Sequence, residues 1–251
     1  MVKDVFHSIA AAAQRLLLNW AALLISLSMY LALLGAIYLF FTIREATAAQ
    51  VALNLVLPIA AVALFFMIQA MGLSYTRIGV GAAYLLKRSM GDFWRILLAS
   101  MPLILLAWLI LYLFSGSDAA RSEATEWTWG SVAVHAIQIL LLHIILPLIA
   151  IHLWITTVRE GLAPAFKRFG RIVIRALAPR SLLIYVVICA AFGAAIYSLL
   201  FAEATFSGAW TQLWAVGIKT ALALLLAFIG WLLALGSISE LTARREMSDV
   251  K

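Results

Sequence analysis

Charge is scarce in this chain. Asp, Glu, Lys and Arg make up 12% of its 251 residues, about half the share found in soluble domains. Hydrophobic residues make up 66%, with a mean hydropathy of +1.08. So few charges cannot clothe a core of this size in water, so the composition excludes an ordinary soluble domain and leaves a bundle whose outer surface faces lipid. Cysteine is nearly absent. The single Cys189 cannot form an intrachain disulfide and reads as a small core residue. Acidic residues are missing from the middle of every long apolar run, which removes the carboxylate relay that proton-coupled transport uses. The chain also has no phosphate-cradling glycine loop, no His-Glu-x-x-His pattern and no Gly-x-Ser-x-Gly elbow. Its connections are too short for a catalytic domain. No catalytic residue, metal site or bound cofactor is therefore expected, and no nucleic-acid partner.

What the chain does have is six apolar runs. Each is close to the roughly 20 residues needed to cross the hydrocarbon layer as a helix: Leu17 to Phe41, Ala52 to Gly72, Ile96 to Phe114, Val132 to Ile155, Ser181 to Phe201 and Leu213 to Gly236. Barrel strands would alternate, and these runs are continuous. The expected fold is an all-α polytopic membrane bundle of six transmembrane helices with interfacial amphipathic helices, forming one domain over 1–251. The first apolar run is longer than a signal-peptide core, so the N-terminal stretch is expected to stay in the mature protein.

The connections sort by charge. Fifteen of the eighteen basic residues fall on one side of the six spans, among them Lys3, Arg15, Arg77, Lys87, Arg88, Arg95, Arg159, Arg180, Arg244, Arg245 and Lys251. The positive-inside rule makes that side cytoplasmic, and with it both termini. The other side holds Arg44 and Arg121, with Lys219 just inside the sixth span, against Glu45, Asp118, Glu123, Glu126 and Glu203. An odd number of spans would scramble this segregation. Trp127, Trp129, Trp210 and Trp214 fall at the expected outer interface and Trp20 and Trp94 at the inner one.

Three stretches read alike, at a period of about 75 to 85 residues. Gln14-Arg15 precedes Asn19-Trp20 and a span ending Ala36-Ile37-Tyr38-Leu39-Phe40. Lys87-Arg88 precedes Phe93-Trp94 and a span ending Ile110-Leu111-Tyr112-Leu113-Phe114. Lys167-Arg168 precedes a span ending Ala195-Ile196-Tyr197. The return spans of the first two units share Leu57-Pro58-Ile59-Ala60 and Leu146-Pro147-Leu148-Ile149. Each unit reads as an inner-surface amphipathic helix, a span out and a span back. Units of one orientation imply an axis along the membrane normal and a triangular bundle. Interface chemistry alone, which places basic and aromatic residues before any span, is the competing explanation.

The strongest amphipathic stretch is 164–180. Pro164 suits a first helical turn. Phe166, Phe169, Val173 and Leu177 recur on one face while Lys167, Arg168, Arg171 and Arg175 gather on the other. These four cations are the candidate lipid-headgroup ligands, with anionic membrane lipids as the expected partner, and structural anchoring as the plainer alternative. Tyr75 to Arg95 reads as a weaker counterpart interrupted by Gly79, Gly81 and Gly91.

The polar residues within the spans are Asn54, Gln69, Gln138, His135, His143, His152 and Lys219. The three histidines on the fourth span are the candidate cofactor ligands, set against interhelical hydrogen bonding. On a regular α-helix His135 and His143 lie about 80° and about 12 Å apart, and His143 and His152 point to opposite faces, so they cannot share one metal ion. His7 is the one histidine elsewhere, nearest in depth to His152. Lys219 is expected to snorkel outward to Glu203 or an acid of the 116–130 loop. Pro58 and Pro147 are expected to kink their helices.

Gln14-Arg15-x3-Asn19-Trp20 and Lys87-Arg88-x4-Phe93-Trp94, each leading into a span, resemble the membrane domain of bacterial glycerophosphodiester phosphodiesterases and related six-span inner-membrane proteins. The resemblance covers most of the chain and implies a bacterial inner membrane, but the catalytic barrel of that family is missing and its activity does not carry over. The leading expectation is a non-catalytic module that scaffolds a membrane complex, with protein partners, or handles lipids. A permease subunit of an ABC-type exporter is a second reading, although Glu160-Gly161-Leu162-Ala163 matches an importer coupling motif poorly. A pigment- or haem-binding subunit is the third.

Overall fold

The computed structural model describes residues 2–44, 47–75, 81–123, 129–202 and 208–249. Glu45, Arg77, Gly79, Glu126, Trp127, Glu203 and Lys251 lie outside the described residues, as do the side chains of Tyr75, Asp118, Arg121, Glu123 and Arg245. The described chain is helical and contains no strand. Its helices are α1 (Val2–Leu18), α2 (Trp20–Thr42), α3 (Ala48–Tyr75), α4 (Ala82–Glu123), α5 (Trp129–Ile139), a π-helical turn (Leu140–Ile145), α6 (Leu146–Glu160), α7 (Leu162–Lys167), α8 (Phe169–Ala176), α9 (Pro179–Phe201) and α10 (Ala209–Asp249). Six segments are long and apolar enough to cross a membrane: Trp20–Thr42, Ala48–Ser74, Ala82–Phe114, Val132–Glu160, Pro179–Phe201 and Ala209–Arg244. The protein is a multi-pass integral membrane protein of the all-α class. We call the side carrying α1, the start of α4, α7 and α8 the basic face.

The three return spans, α3, α6 and α10, touch one another, while α2, α4 and α9 flank them. α10 is the hub: half of its most apolar window is buried, against 11–22% in the other five spans. Two glycines allow close approach to it. A Cβ on Gly72 of α3 would lie 3.1 Å from Leu232 and Leu235, and one on Gly230 would lie 2.8 Å from the Phe192 ring of α9. Much of the remaining apolar surface of the spans points outward. Leu55, Ile59, Leu105, Trp108 and Leu113 are all more than half exposed, as expected where lipid is the solvent.

α1 is amphipathic and lies against α10, burying Val5, Ser8, Ala12 and Leu16 at helical spacing. Asn19 breaks the helix at φ −112, ψ 57, and the first span starts afresh at Trp20. The second unit differs from expectation. Gly91 does not interrupt it, and α4 runs unbroken for 42 residues, roughly 63 Å at the α-helical rise. Its first turns extend past the hydrocarbon layer instead of lying in the interface. The neighbours of Gly91 explain this, because Leu85, Ser89, Asp92 and Ile96 form a buried stripe whose packing outweighs the glycine's cost of about 1 kcal/mol.

The fourth span carries the largest departure from regular geometry. Proline has no N–H, so Pro147 cannot bond the carbonyl four residues back, that of His143. The chain answers in two ways. The helix loosens to a π turn over Leu140–Ile145, in which the Leu146 N–H donates to the Leu141 carbonyl. The hydroxyl of Tyr185 on α9 then donates to the His143 carbonyl at 3.0 Å. A π turn adds a residue to the repeat and rotates the residues beyond it by roughly 100°, so the 80° between His135 and His143 expected from α geometry does not hold.

Beyond α6 the basic segment is not one continuous helix. Gly161 sits at φ 96, ψ 173, a backbone region essentially reserved for glycine, and turns the chain into α7. Arg168, at φ −104, ψ 15, separates α7 from α8. Pro179 occupies the first turn of α9, where its missing N–H costs nothing.

Tyr185→Phe is predicted to leave the His143 carbonyl unpaired and to lower stability by about 1–3 kcal/mol. Pro147→Ala restores an N–H to that carbonyl, so in its background the same change should cost markedly less. Thermal unfolding of the four proteins in detergent reads this out, and equal losses in both backgrounds would contradict the pairing.

Candidate functional site

On the basic face each described acid is held by one or two arginines, of its own helix or of another. Glu240 near the end of α10 receives Arg15 of α1 at 2.9 Å and Arg244 at 3.1 Å. Asp92 of α4 receives Arg88 at 3.5 Å and Arg95 at 3.3 Å. Arg180 of α9 meets Asp4 of α1 at 3.4 Å, and Arg168 meets Glu160 at 2.8 Å. Arg159 of α6 donates to the Ser239 carbonyl of α10 at 3.2 Å. These contacts tie the first unit to the third, while α3 against α4 and α6 against α8 complete the ring. The exposed pairs, Arg180 with Asp4 and Arg168 with Glu160, contribute on the order of 1 kcal/mol or less each, while Asp92 and Glu240 are largely buried beside their arginines. The exposed pairs set which helix sits beside which more than how tightly.

Of the four expected headgroup cations, Arg168 is therefore engaged by Glu160. Lys167, Arg171 and Arg175 are exposed and enter no ion pair among the described residues. The apolar side of this segment also differs from the single lipid-facing row expected. Ala165, Ile172 and Ala176 are buried, and Phe169 and Val173 pack against the core, so one face docks on α6. A second apolar face, with Phe166 at 39%, Ile174 at 74% and Leu177 at 42% exposure, stays outside. The segment thus has one face packed on protein, one exposed apolar face and one exposed cationic face.

The histidines fall in three different settings. His152 is buried in the core of α6. His135 is half-buried on α5, with no partner for its buried Nδ1 among the described residues. His143 lies in the π turn with its side chain exposed, and His7 is exposed on α1. Among the described residues no three His, Cys, Asp or Glu side chains gather as a metal site would require. Lys219 points outward and donates to the carbonyl of Ala202, which follows the last turn of α9. The side chains of its other expected partners, Glu203 and the acids of the 116–130 loop, are not described.

The spans themselves enclose a cleft. It has a volume of about 510 Å³ and is open on one side, between α2, α3, α4, α6 and one residue of α10. Its wall includes Leu33, Phe66, Leu103, Pro147, Trp154 and Trp231. The polar atoms near it are matched within the protein. Trp154 Nε1–H donates to Ser100 Oγ at 2.7 Å, the Ser100 hydroxyl donates to the Ile96 carbonyl at 2.7 Å, and Trp231 Nε1–H donates to Gln69 Oε1 at 2.7 Å. Phe66 packs edge-on to Trp154 with ring centroids 6.5 Å apart. Leu146, Pro147 and Ala150 form one side of this concavity.

Sequence reasoning missed Asp92, Glu240, Ser100, Trp154, Tyr185 and Trp231. One signal was legible: Asp92 and Glu240 each stand beside arginines at helical spacing in an otherwise apolar context. No family model, curated protein or solved structure matches this chain. The resemblance to the phosphodiesterase membrane domain accordingly rests on its two residue patterns alone.

Glu240→Gln is predicted to release Arg15 and weaken the hold of α10 on α1. Trypsin treatment of the folded protein should cleave after Arg15 several times faster than in wild type. Unchanged cleavage would mean that burial of Val5, Ala12 and Leu16, with the Arg180–Asp4 pair, holds α1 without Glu240.

Proposed function

We propose that the protein is a non-catalytic, lipid-interacting scaffold module of the bacterial cytoplasmic membrane, with its basic face and both termini in the cytoplasm. The observation that carries this is the charge left over on α7 and α8. Every acid whose side chain is described on the basic face is held by an arginine, whereas Lys167, Arg171 and Arg175 are exposed without an acid. Beside them Phe166, Ile174 and Leu177 present apolar surface. Cations next to apolar side chains are the arrangement of an interfacial helix, its apolar edge in the acyl boundary and its charges among headgroups. At roughly 1 kcal/mol per cation near an anionic surface, three supply about 3 kcal/mol. That corresponds to roughly a hundredfold preference for anionic over zwitterionic lipid.

Native mass spectrometry of the protein in mild detergent, offered equal amounts of anionic and zwitterionic phospholipid, tests this. Wild type is expected to retain the anionic lipid selectively, and Lys167→Gln, Arg171→Gln, Arg175→Gln together should abolish most of the preference without unfolding the protein. Equal retention of both lipids by wild type would defeat the proposal.

One observation favours a second reading, a pigment- or haem-binding subunit. An exposed imidazole at His143, near the middle of a span, is costly against lipid and becomes favourable if a cofactor or a partner helix covers it. A colourless complex purified from native membranes would remove that reading.

A further inference from the structure

We propose that the cleft between α2, α3, α4 and α6 holds one hydrocarbon chain of a phospholipid from the leaflet on the basic face. This deepens the lipid-interacting function proposed for the basic face and rests on it, adding a chain site to the headgroup cations.

Depth gives the first argument. Ser100 lies five residues outward from Arg95 on α4, and Trp154 lies five residues outward from Arg159 on α6, about 7.5 Å in each case. Ala107, also in the wall, is about 18 Å from Arg95 on the same scale. The cleft therefore begins in the half of the roughly 30 Å hydrocarbon layer nearest the basic face and reaches just past its middle. Lys87, Arg88 and Arg95 on α4 and Arg159 on α6 lie at the basic ends of the two helices that supply most of its depth. Of these, Lys87 is exposed without an acid among the described residues and the two arginines of α4 share the single Asp92, so a lipid chain enters such a cleft from the side on which an anionic headgroup meets net positive charge.

Chemistry gives the second. Both indole N–H groups and the Ser100 hydroxyl are already engaged inside the protein, so a polar ligand would be desolvated there without compensation. Water has the same difficulty, because it needs two or more polar partners. An empty space would forfeit dispersion contacts along the whole wall. A hydrocarbon chain meets none of these costs, and it is what surrounds the spans.

Size gives the third. The volume of about 510 Å³ lies within the roughly 300–1,000 Å³ typical of small-molecule pockets. The cleft is accessible as well: Ile37, Val62, Phe65 and Ile104 in its wall keep 40–48% of their surface exposed.

The test is photolabelling in bilayers of anionic phospholipid carrying a diazirine at mid-chain, followed by peptide mapping. Wild type is expected to be labelled between Leu146 and Trp154, as well as at outward residues such as Ile59 and Leu105. Ala150→Phe and Ala107→Phe fill the cleft from opposite walls. Each is expected to cut the 146–154 labelling several-fold while leaving Ile59 and Leu105 unchanged. Should Ala150→Phe fail to fold, Ala107→Phe at a partly exposed position still decides the matter. Absence of label in 146–154 in wild type, or label indifferent to both fillings, overturns the proposal, as does crosslinking of the cleft to a second protein chain in its place. The Lys167, Arg171, Arg175 triple variant keeps cleft labelling if the chain site is real, so failure of the headgroup reading and failure of this one are distinguishable.

Discussion

Because hydrocarbon neither donates nor accepts hydrogen bonds, a polar atom within a span must find its partner in the chain itself. Helix formation settles this for most of the backbone, and the remaining cases shape the interior. Hydroxyls at Ser28, Thr156 and Ser237 bond the carbonyl four residues back on their own helices. The carbonyl that Pro147 leaves open is met by Tyr185 from another helix. The two interior indoles reach across to Ser100 and Gln69. Ser8, Ser74 and Thr157, whose buried oxygens have no partner among the described residues, all lie toward the basic face. Long-range polar contacts of this kind specify which helices adjoin in a medium that gives apolar side chains no reason to choose one neighbour over another.

The same solvent divides the charges. On the basic face, acid and arginine contacts join α1 to α9 and to α10, and Lys3, Lys87, Lys167, Arg171 and Arg175 are exposed without an acid among the described residues. Three of these five cations stand on the segment that follows α6 and Gly161. The glycine matters for that placement, since its backbone at φ 96 admits almost no other residue. The proposed headgroup attraction and the helix contacts on this face thus draw on one charge distribution.

Much of the architecture was legible in the residues. The six runs, the even count and the amphipathic character of α1 come from hydropathy and from the placement of Lys and Arg, because lipid enforces both strictly. The helix breaks were harder to read. Gly91 reads as an interruption, yet Leu85, Ser89 and Ile96 bury a stripe that carries α4 through it. Pro147 reads as a kink, and the π turn that precedes it depends on Tyr185, some forty residues further on. Of the candidate site, the cations were visible and the engagement of Arg168 was not. The cleft was invisible because its wall gathers Leu33, Phe66, Leu103 and Trp154 from four helices, with no spacing to betray it.

The proposed function requires α1, the first turns of α4, α7, α8 and the end of α10 to share one side of the membrane. The most direct check is labelling in intact cells with a membrane-impermeant thiol reagent, using single cysteines introduced at Lys3, Lys87, Lys167 and Arg244 in a Cys189→Ser background, with Thr47 and Gly208 as counterparts. The account predicts that the first four react only after the membrane is opened and that the last two react at once. Reaction at Lys167 in intact cells, or Lys3 and Arg244 behaving oppositely, would contradict it.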